Sequence, residues 1–104
     1  LVTAFDARIS AVVSSSSGSP GMTPYRLTSA NTFAEGPGGA PENWWLPQLT
    51  CFKGYEHRLP IDSHGLIALI APRPLLAATA WTDGCEPTWA VERAYKAGRA
   101  VYRM

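Results

Sequence analysis

Ile67-Ala-Leu-Ile-Ala-Pro-Arg-Pro-Leu-Leu-Ala-Ala-Thr-Ala-Trp-Thr-Asp-Gly-Cys-Glu86 is the stretch on which the fold turns. It opens with a short apolar helix that runs into Pro72-Arg73-Pro74. The run Leu75–Ala80 follows, with no polar alternation apart from Thr79. Such a run predicts a strand buried on both faces, as in the centre of a parallel sheet covered by helices. An acidic, glycine-containing turn comes next and carries Asp83 and Glu86. In open α/β sheets ligands sit beyond the carboxyl ends of the strands. Asp83 is placed just past such an end, which makes it the first candidate for chemistry.

The elements on either side extend the same pattern. Upstream of the apolar helix, Leu59-Pro60-Ile61-Asp62-Ser63-His64 supplies Asp62 or Ser63 to cap the helix start. Gly65–Ile70 is apolar nearly all round and predicts a buried helix, which Pro72 ends. His64, in its first turn, reads as a packed structural histidine. Downstream, Pro87 stands where a first helical residue is tolerated. Thr88–Lys96 is amphipathic: Ala90, Val91, Ala94, Tyr95 and Ala97 form the apolar stripe. Gly98 is expected to end this helix, and Val101-Tyr102 to begin another strand.

Nearer the start, Leu1–Arg8 reads as the tail of a helix and Ile9–Val13 as a strand rich in β-branched residues. That strand opens into Ser14-Ser15-Ser16-Ser17-Gly18-Ser19-Pro20-Gly21. Small residues of this kind make either a flexible loop or a loop whose backbone comes close to a ligand. Glu35–Pro41 is dense in Pro and Gly and is a loop. Glu42–Tyr55 gathers Trp44, Trp45, Phe52 and Tyr55. Core packing accounts for most of these aromatics. Two adjacent tryptophans cannot both face one way on regular structure, so one of them is available to a cleft, where a sugar ring would stack on it. The sum is a βαβαβ order and an α/β fold with three parallel strands.

Composition sets the outer bounds. The chain has 104 residues, enough for one domain or part of one. Nine basic residues against eight acidic ones leave a net charge of +1, with no basic stripe or acidic tail, which argues against nucleic acid or an anionic membrane as partner. Charged residues make up 16% of the chain, below the roughly 25% of an average domain. Much of the surface is therefore expected to pack against something else or to be rich in small polar residues. No apolar run approaches the roughly 18 residues of a membrane-spanning helix. His57 and His64 lie in no pattern that closes a metal site, and no cofactor motif is present. Cys51 and Cys85 allow one disulfide or two free thiols. The chain is expected to be a fragment of a larger domain, since Leu1–Arg8 lacks its beginning and Arg99–Met104 reads as a strand cut short.

The order of a buried strand, then Asp83, then a helix matches the acid position of a Ser-His-acid hydrolase, whose chain order is nucleophile, acid, histidine. Glu86, three residues on, offers a second carboxylate. One of the two could hold a histidine while the other caps the helix at Pro87, or both could be turn and cap residues only.

Several stretches together resemble the C-terminal half of the α/β-hydrolase carbohydrate esterases, in particular the glucuronoyl esterases and their bacterial acetyl xylan esterase-like relatives. They are Leu59-Pro-Ile-Asp-Ser-His-Gly-Leu-Ile-Ala-Leu-Ile-Ala-Pro-Arg-Pro-Leu-Leu76, Asp83 with the Pro87-Thr-Trp helix, Phe5-Asp-Ala-Arg-Ile, Ser17-Gly-Ser-Pro-Gly and Glu42-Asn-Trp-Trp. The Leu-Ile-Ala-Pro-Arg-Pro run is the most specific of them. The resemblance implies a serine esterase mechanism on plant polysaccharide esters, glucuronoyl or acetyl, with a secreted or periplasmic location. It places the serine elbow before Leu1 and the histidine beyond Met104, so residues 1–104 would be a partial hydrolase domain, inactive alone, whose partner is the remainder of that domain. Many glucuronoyl esterases carry their catalytic Glu where this chain has Ser16. The resemblance therefore implies Asp83 as triad acid, with Glu86 as the alternative, and Trp45, Trp44 and Arg26 on the substrate side. The competing expectations are a non-catalytic carbohydrate-binding module and a hydrolase-like scaffold.

Overall fold

The computed structural model describes residues 2–18, 21–27 and 47–104. Two strands pair in parallel: β1 (Val12–Ser15) and β2 (Leu75–Ala78), with Val12 opposite Leu75 and Ser15 opposite Ala78. Among the described residues three helices accompany them, a single-turn α1 (Val2–Phe5), α2 (Ser63–Ile70) and α3 (Thr88–Gly98). Tight 3-10 turns cover Tyr25–Leu27, Pro47–Phe52, Glu56–Arg58 and Arg99–Arg103.

Helix α2 starts where its polar residues can close it. Asp62 is extended (φ −142°, ψ −178°) and its carboxylate accepts the Ser63 N–H at 2.8 Å. The same carboxylate accepts the N–H groups of Tyr25 at 2.9 Å and Arg26 at 3.1 Å. A buried charge is thus surrounded by donors, the condition for burying it at all. Ser63 adds a bond from its hydroxyl to the Thr23 carbonyl at 2.8 Å. At the other end Ala71 turns out of the helix (ψ 144°) ahead of Pro72, and the Ala71–Pro72 peptide is cis.

Arg73 then folds back over that end. Its Nε donates to the Ile70 carbonyl at 3.0 Å and its Nη2 to the Leu69 carbonyl at 3.2 Å. Its Nη1 donates to the carbonyls of Asp6 and Ile9, at 2.9 and 3.0 Å. One guanidinium therefore satisfies last-turn carbonyls of α2, complements its dipole and pins the turn between α1 and β1.

The core lies between the helices and one face of the sheet. Ile67 of α2 meets Val91 and Ala94 of α3 together with Met22, and Leu75, Ala77 and Tyr95 pack against them. Burial alternates along both strands, leaving Val13 65% and Leu76 60% exposed. The expectation that Leu75–Ala80 is covered on both faces does not hold among the described residues: α2 and α3 both lie on the face of Val12, Leu75 and Ala77.

The third strand expected at Val101-Tyr102 is also corrected. Gly98 keeps ordinary helical angles (φ −66°, ψ −34°), so the chain coils on through Arg99–Arg103 instead of extending. The Tyr102 hydroxyl donates to the Arg73 carbonyl at 3.0 Å, which ties this turn to the stretch between α2 and β2. Residues with strand propensity are overridden here by a tertiary contact.

Gly98 does close α3 as expected, for a different reason. A Cβ built on it would lie 2.6 Å from Ile67 Cγ2 and 2.8 Å from the His64 carbonyl oxygen. Glycine is required for the close crossing of α2 and α3, not for a left-handed turn. Gly98→Ala should therefore destabilise the complete protein by about 1–3 kcal/mol, although alanine in an open helix would gain about 1 kcal/mol. A raised denaturation midpoint for this variant would show that the crossing has room to spare.

Candidate active site

Because β1 and β2 are parallel and end level, the loops that leave them start side by side. Ser16 N–H donates to the Ala78 carbonyl at 3.3 Å, the last rung of the ladder. Ser16 then takes a left-handed conformation (φ 42°), costing about 1–2 kcal/mol for a residue with a side chain. Gly18 follows at φ 60° without that cost. The loop closes on itself through bonds from the N–H groups of Gly21 and Thr23 to the Gly18 carbonyl, at 2.9 and 3.2 Å. Gly21 lies so close that a Cβ there would stand 2.3 Å from Ser17 Oγ.

The loop leaving β2 carries both candidate carboxylates. Thr79 and Thr88 share a hydroxyl–hydroxyl bond of 3.0 Å, which fastens the end of β2 to the first residue of α3. Asp83 N–H donates to the Ala80 carbonyl at 3.1 Å. Its Oδ1 accepts the N–H groups of Cys85 at 2.9 Å and Glu86 at 3.1 Å, the self-bonded turn that aspartate forms readily. Asp83 is half-buried and lies in the wall of a cavity of about 340 Å³ with Trp81, Thr82, Pro87 and Trp89. Trp81 is 86% exposed, and the Arg93 guanidinium stands 5.9 Å from the Trp89 ring.

Glu86 is placed differently. It is fully buried (0% exposed). Its Oε2 accepts the Ser17 hydroxyl at 2.7 Å and the Gly18 N–H at 2.9 Å, joining the two loops. Ser17 Oγ in turn accepts the N–H of Met22, a core residue, at 2.9 Å. Neither carboxylate caps α3 as expected: Pro87 occupies the cap position without a side-chain bond, and its carbonyl accepts the N–H groups of Ala90 and Val91.

The other candidates divide. Arg26 sits on the loop that begins with the serines. Its guanidinium donates to the Leu59 carbonyl, its Nε stands 3.9 Å from Asp62 Oδ2, and its side chain is 36% exposed. Trp44 and Trp45 lie outside the described residues. The structure thus brings Asp83, Glu86 and the serine-rich loop together, with Arg26 further along the same loop. Among the described residues neither Cys51 nor Cys85 is joined in a disulfide. Sequence reasoning missed the Glu86–Ser17 link and the Arg73 clamp. A cation just after a helix end was a usable signal for Arg73, whereas nothing in Asp83-Gly-Cys-Glu86 tells which carboxylate turns inward.

Known proteins resemble this chain in both sequence and fold. A family model described as "Glucuronyl esterase, fungi" matches residues 1–104. A curated relative, "Carbohydrate esterase MZ0003" from an unknown prokaryotic organism, is 34% identical over 101 residues, which are 97% of this chain and 23% of that protein. A solved structure described as a promiscuous CE15 esterase from a marine bacterial metagenome superposes with a TM-score of 0.71 at 31% identity. That match covers 97% of this chain and 25% of the other, so the chain spans about a quarter of the length of these relatives. With all 104 residues matched by the family model and the fold shared, the chain belongs to the glucuronyl esterase family.

Proposed function

We propose that residues 1–104 are one segment of a larger α/β-hydrolase domain, a serine carboxylic-ester hydrolase of plant polysaccharide. Its ester is a glucuronoyl or acetyl ester. The serine and the histidine come from other parts of that domain. This segment contributes Asp83 as triad acid and part of the substrate cleft.

The observation that carries the reading is the contrast between the two carboxylates at the end of β2. Asp83 is half-buried on a cavity wall, and both of its backbone bonds fall on Oδ1. Oδ2 is then the oxygen to receive an imidazole N–H. Glu86 is enclosed by its own chain, with Oε2 already engaged. A histidine arriving from another segment can reach the first far more readily than the second.

In this reading the histidine takes the serine proton as the serine attacks the ester carbonyl. Asp83 holds the imidazole in its useful tautomer and stabilises the imidazolium that forms. The two backbone N–H groups on Oδ1 keep the carboxylate from turning away. The histidine then returns the proton to the leaving alcohol, and water repeats the cycle on the acyl-enzyme.

The substrate side is carried over from the resemblance drawn in the sequence. One of Trp44 and Trp45 offers an indole face to a sugar ring. Arg26, held by Leu59 and Asp62, keeps its guanidinium partly exposed.

Asp83→Asn in the complete enzyme should cut kcat by about 10³–10⁴-fold with the melting temperature unchanged, assayed on an alkyl ester of glucuronic acid and on an acetylated sugar. Wild-type turnover would remove Asp83 from the triad. Trp45→Ala should raise KM by about tenfold with little change in melting temperature. An unchanged KM beside a lower melting temperature would make Trp45 a core residue.

A further inference from the structure

We infer that Glu86 and Ser17 form a positioning pair that sets the orientation of Asp83 from the neighbouring strand's loop; the inference rests on Asp83 being the triad acid. The pair acts through bonds that run in series. Met22, anchored in the core beside Ile67 and Val91, donates its N–H to Ser17 Oγ at 2.9 Å. Ser17 Oγ donates to Glu86 Oε2 at 2.7 Å, and the Gly18 N–H reinforces it at 2.9 Å. The backbone N–H of Glu86 donates to Asp83 Oδ1 at 3.1 Å. Each bond leaves its successor little freedom. Glu86 cannot shift without breaking two bonds in a site closed to water, where no solvent would replace them.

In the turn from Trp81 to Glu86, Trp81 and Gly84 are exposed, and Asp83 is held by local bonds to Ala80, Cys85 and Glu86. A self-bonded turn fixes its own shape but not its placement on the body of the protein. Glu86 supplies that placement on one side, and the Thr79–Thr88 bond at the root of the loop supplies it on the other. An acid that must meet an imidazole within a few tenths of an ångström needs such a support. Glu86 is therefore a positioning residue: its Oε2 is committed to the loop after β1, while its buried Oε1 has no hydrogen-bond partner among the described residues.

Four variants of the complete enzyme test this: Asp83→Asn, Glu86→Ala, Glu86→Gln and Ser17→Ala. For each, kcat, KM, the pH profile of kcat/KM and the melting temperature are measured on the folded fraction. Glu86→Ala and Ser17→Ala should lower kcat by about ten- to a hundredfold with KM nearly unchanged. Both should also move the acidic limb of the profile to lower pH. That limb reports the histidine, and a loosely held Asp83 stabilises its protonated form less. Glu86→Gln, whose amide oxygen can accept from both Ser17 and Gly18, should recover most of the turnover lost in Glu86→Ala. If Glu86→Ala does not fold, Ser17→Ala still reads the same link.

The inference is overturned if Ser17→Ala and Glu86→Ala lower only the melting temperature, leaving turnover and the acidic limb at wild-type values. It is equally overturned if Glu86→Gln loses as much turnover as Asp83→Asn, which would make Glu86 a partner of the histidine. Full activity of Asp83→Asn would instead remove the reading beneath the inference, so the two failures are told apart by different variants.

Discussion

Two parallel strands that end level compel the loops leaving them to share one space. Ser15 lies opposite Ala78, so the serine-rich loop and the acidic turn emerge as neighbours. Both loops are backbone without regular structure, and their polar groups need partners once they touch. Glu86 meets that need from below, with one carboxylate oxygen serving a hydroxyl and an N–H of the opposite loop. The arrangement turns a topological consequence of the sheet into a fixed spacing between two loops.

Three charged side chains perform comparable work at three junctions. Asp62 gathers three backbone N–H groups where the loop from β1 meets α2. Arg73 gathers four carbonyls where α2 hands over to β2. Glu86 joins the loops beyond the strands. Asp62 and Arg73 are met chiefly by backbone dipoles, and Glu86 by one backbone N–H and one hydroxyl, both on Oε2. Surface pairs such as Glu92–Lys96, at 3.3 Å and largely exposed, are worth little by comparison. The low proportion of charged residues thus does not mean weak electrostatics: two of the charges present, Asp62 and Glu86, are buried.

What was legible from the sequence follows from what kind of signal each element carries. Strand β2 rests on its apolar run, helix α2 on a cap that Asp62 or Ser63 could supply, and α3 on its amphipathic stripe, all of which the sequence states directly. The alternation of burial on β2 was not legible, because Leu75-Leu76-Ala77-Ala78 is apolar on both sides and only the placement of α2 and α3 distinguishes them. The absent strand at Val101-Tyr102 depended on a hydroxyl reaching Arg73, a contact between residues 29 apart in sequence. Asp83 was legible because its position after a buried strand has a chemical meaning. The inward turn of Glu86 was not, since it depends on a serine 69 residues away.

The close crossing of α2 and α3 bears on the site as well as on stability. Helix α3 begins at Thr88, two residues after Glu86, so any rotation of α3 would carry the acidic turn with it. Gly98 at the far end lets the helix axis settle against Ile67 and the His64 carbonyl, with no side chain to hold it off. The Thr79–Thr88 bond fixes the near end to β2. A helix held at both ends is a rigid base, and the turn preceding it inherits that rigidity through Pro87, whose ring locks φ at −60°. The carboxylates are thus placed by a lever whose fulcrum is the small-residue contact between α2 and α3, and substitutions remote from the loop should be felt at Asp83 through the angle of that helix.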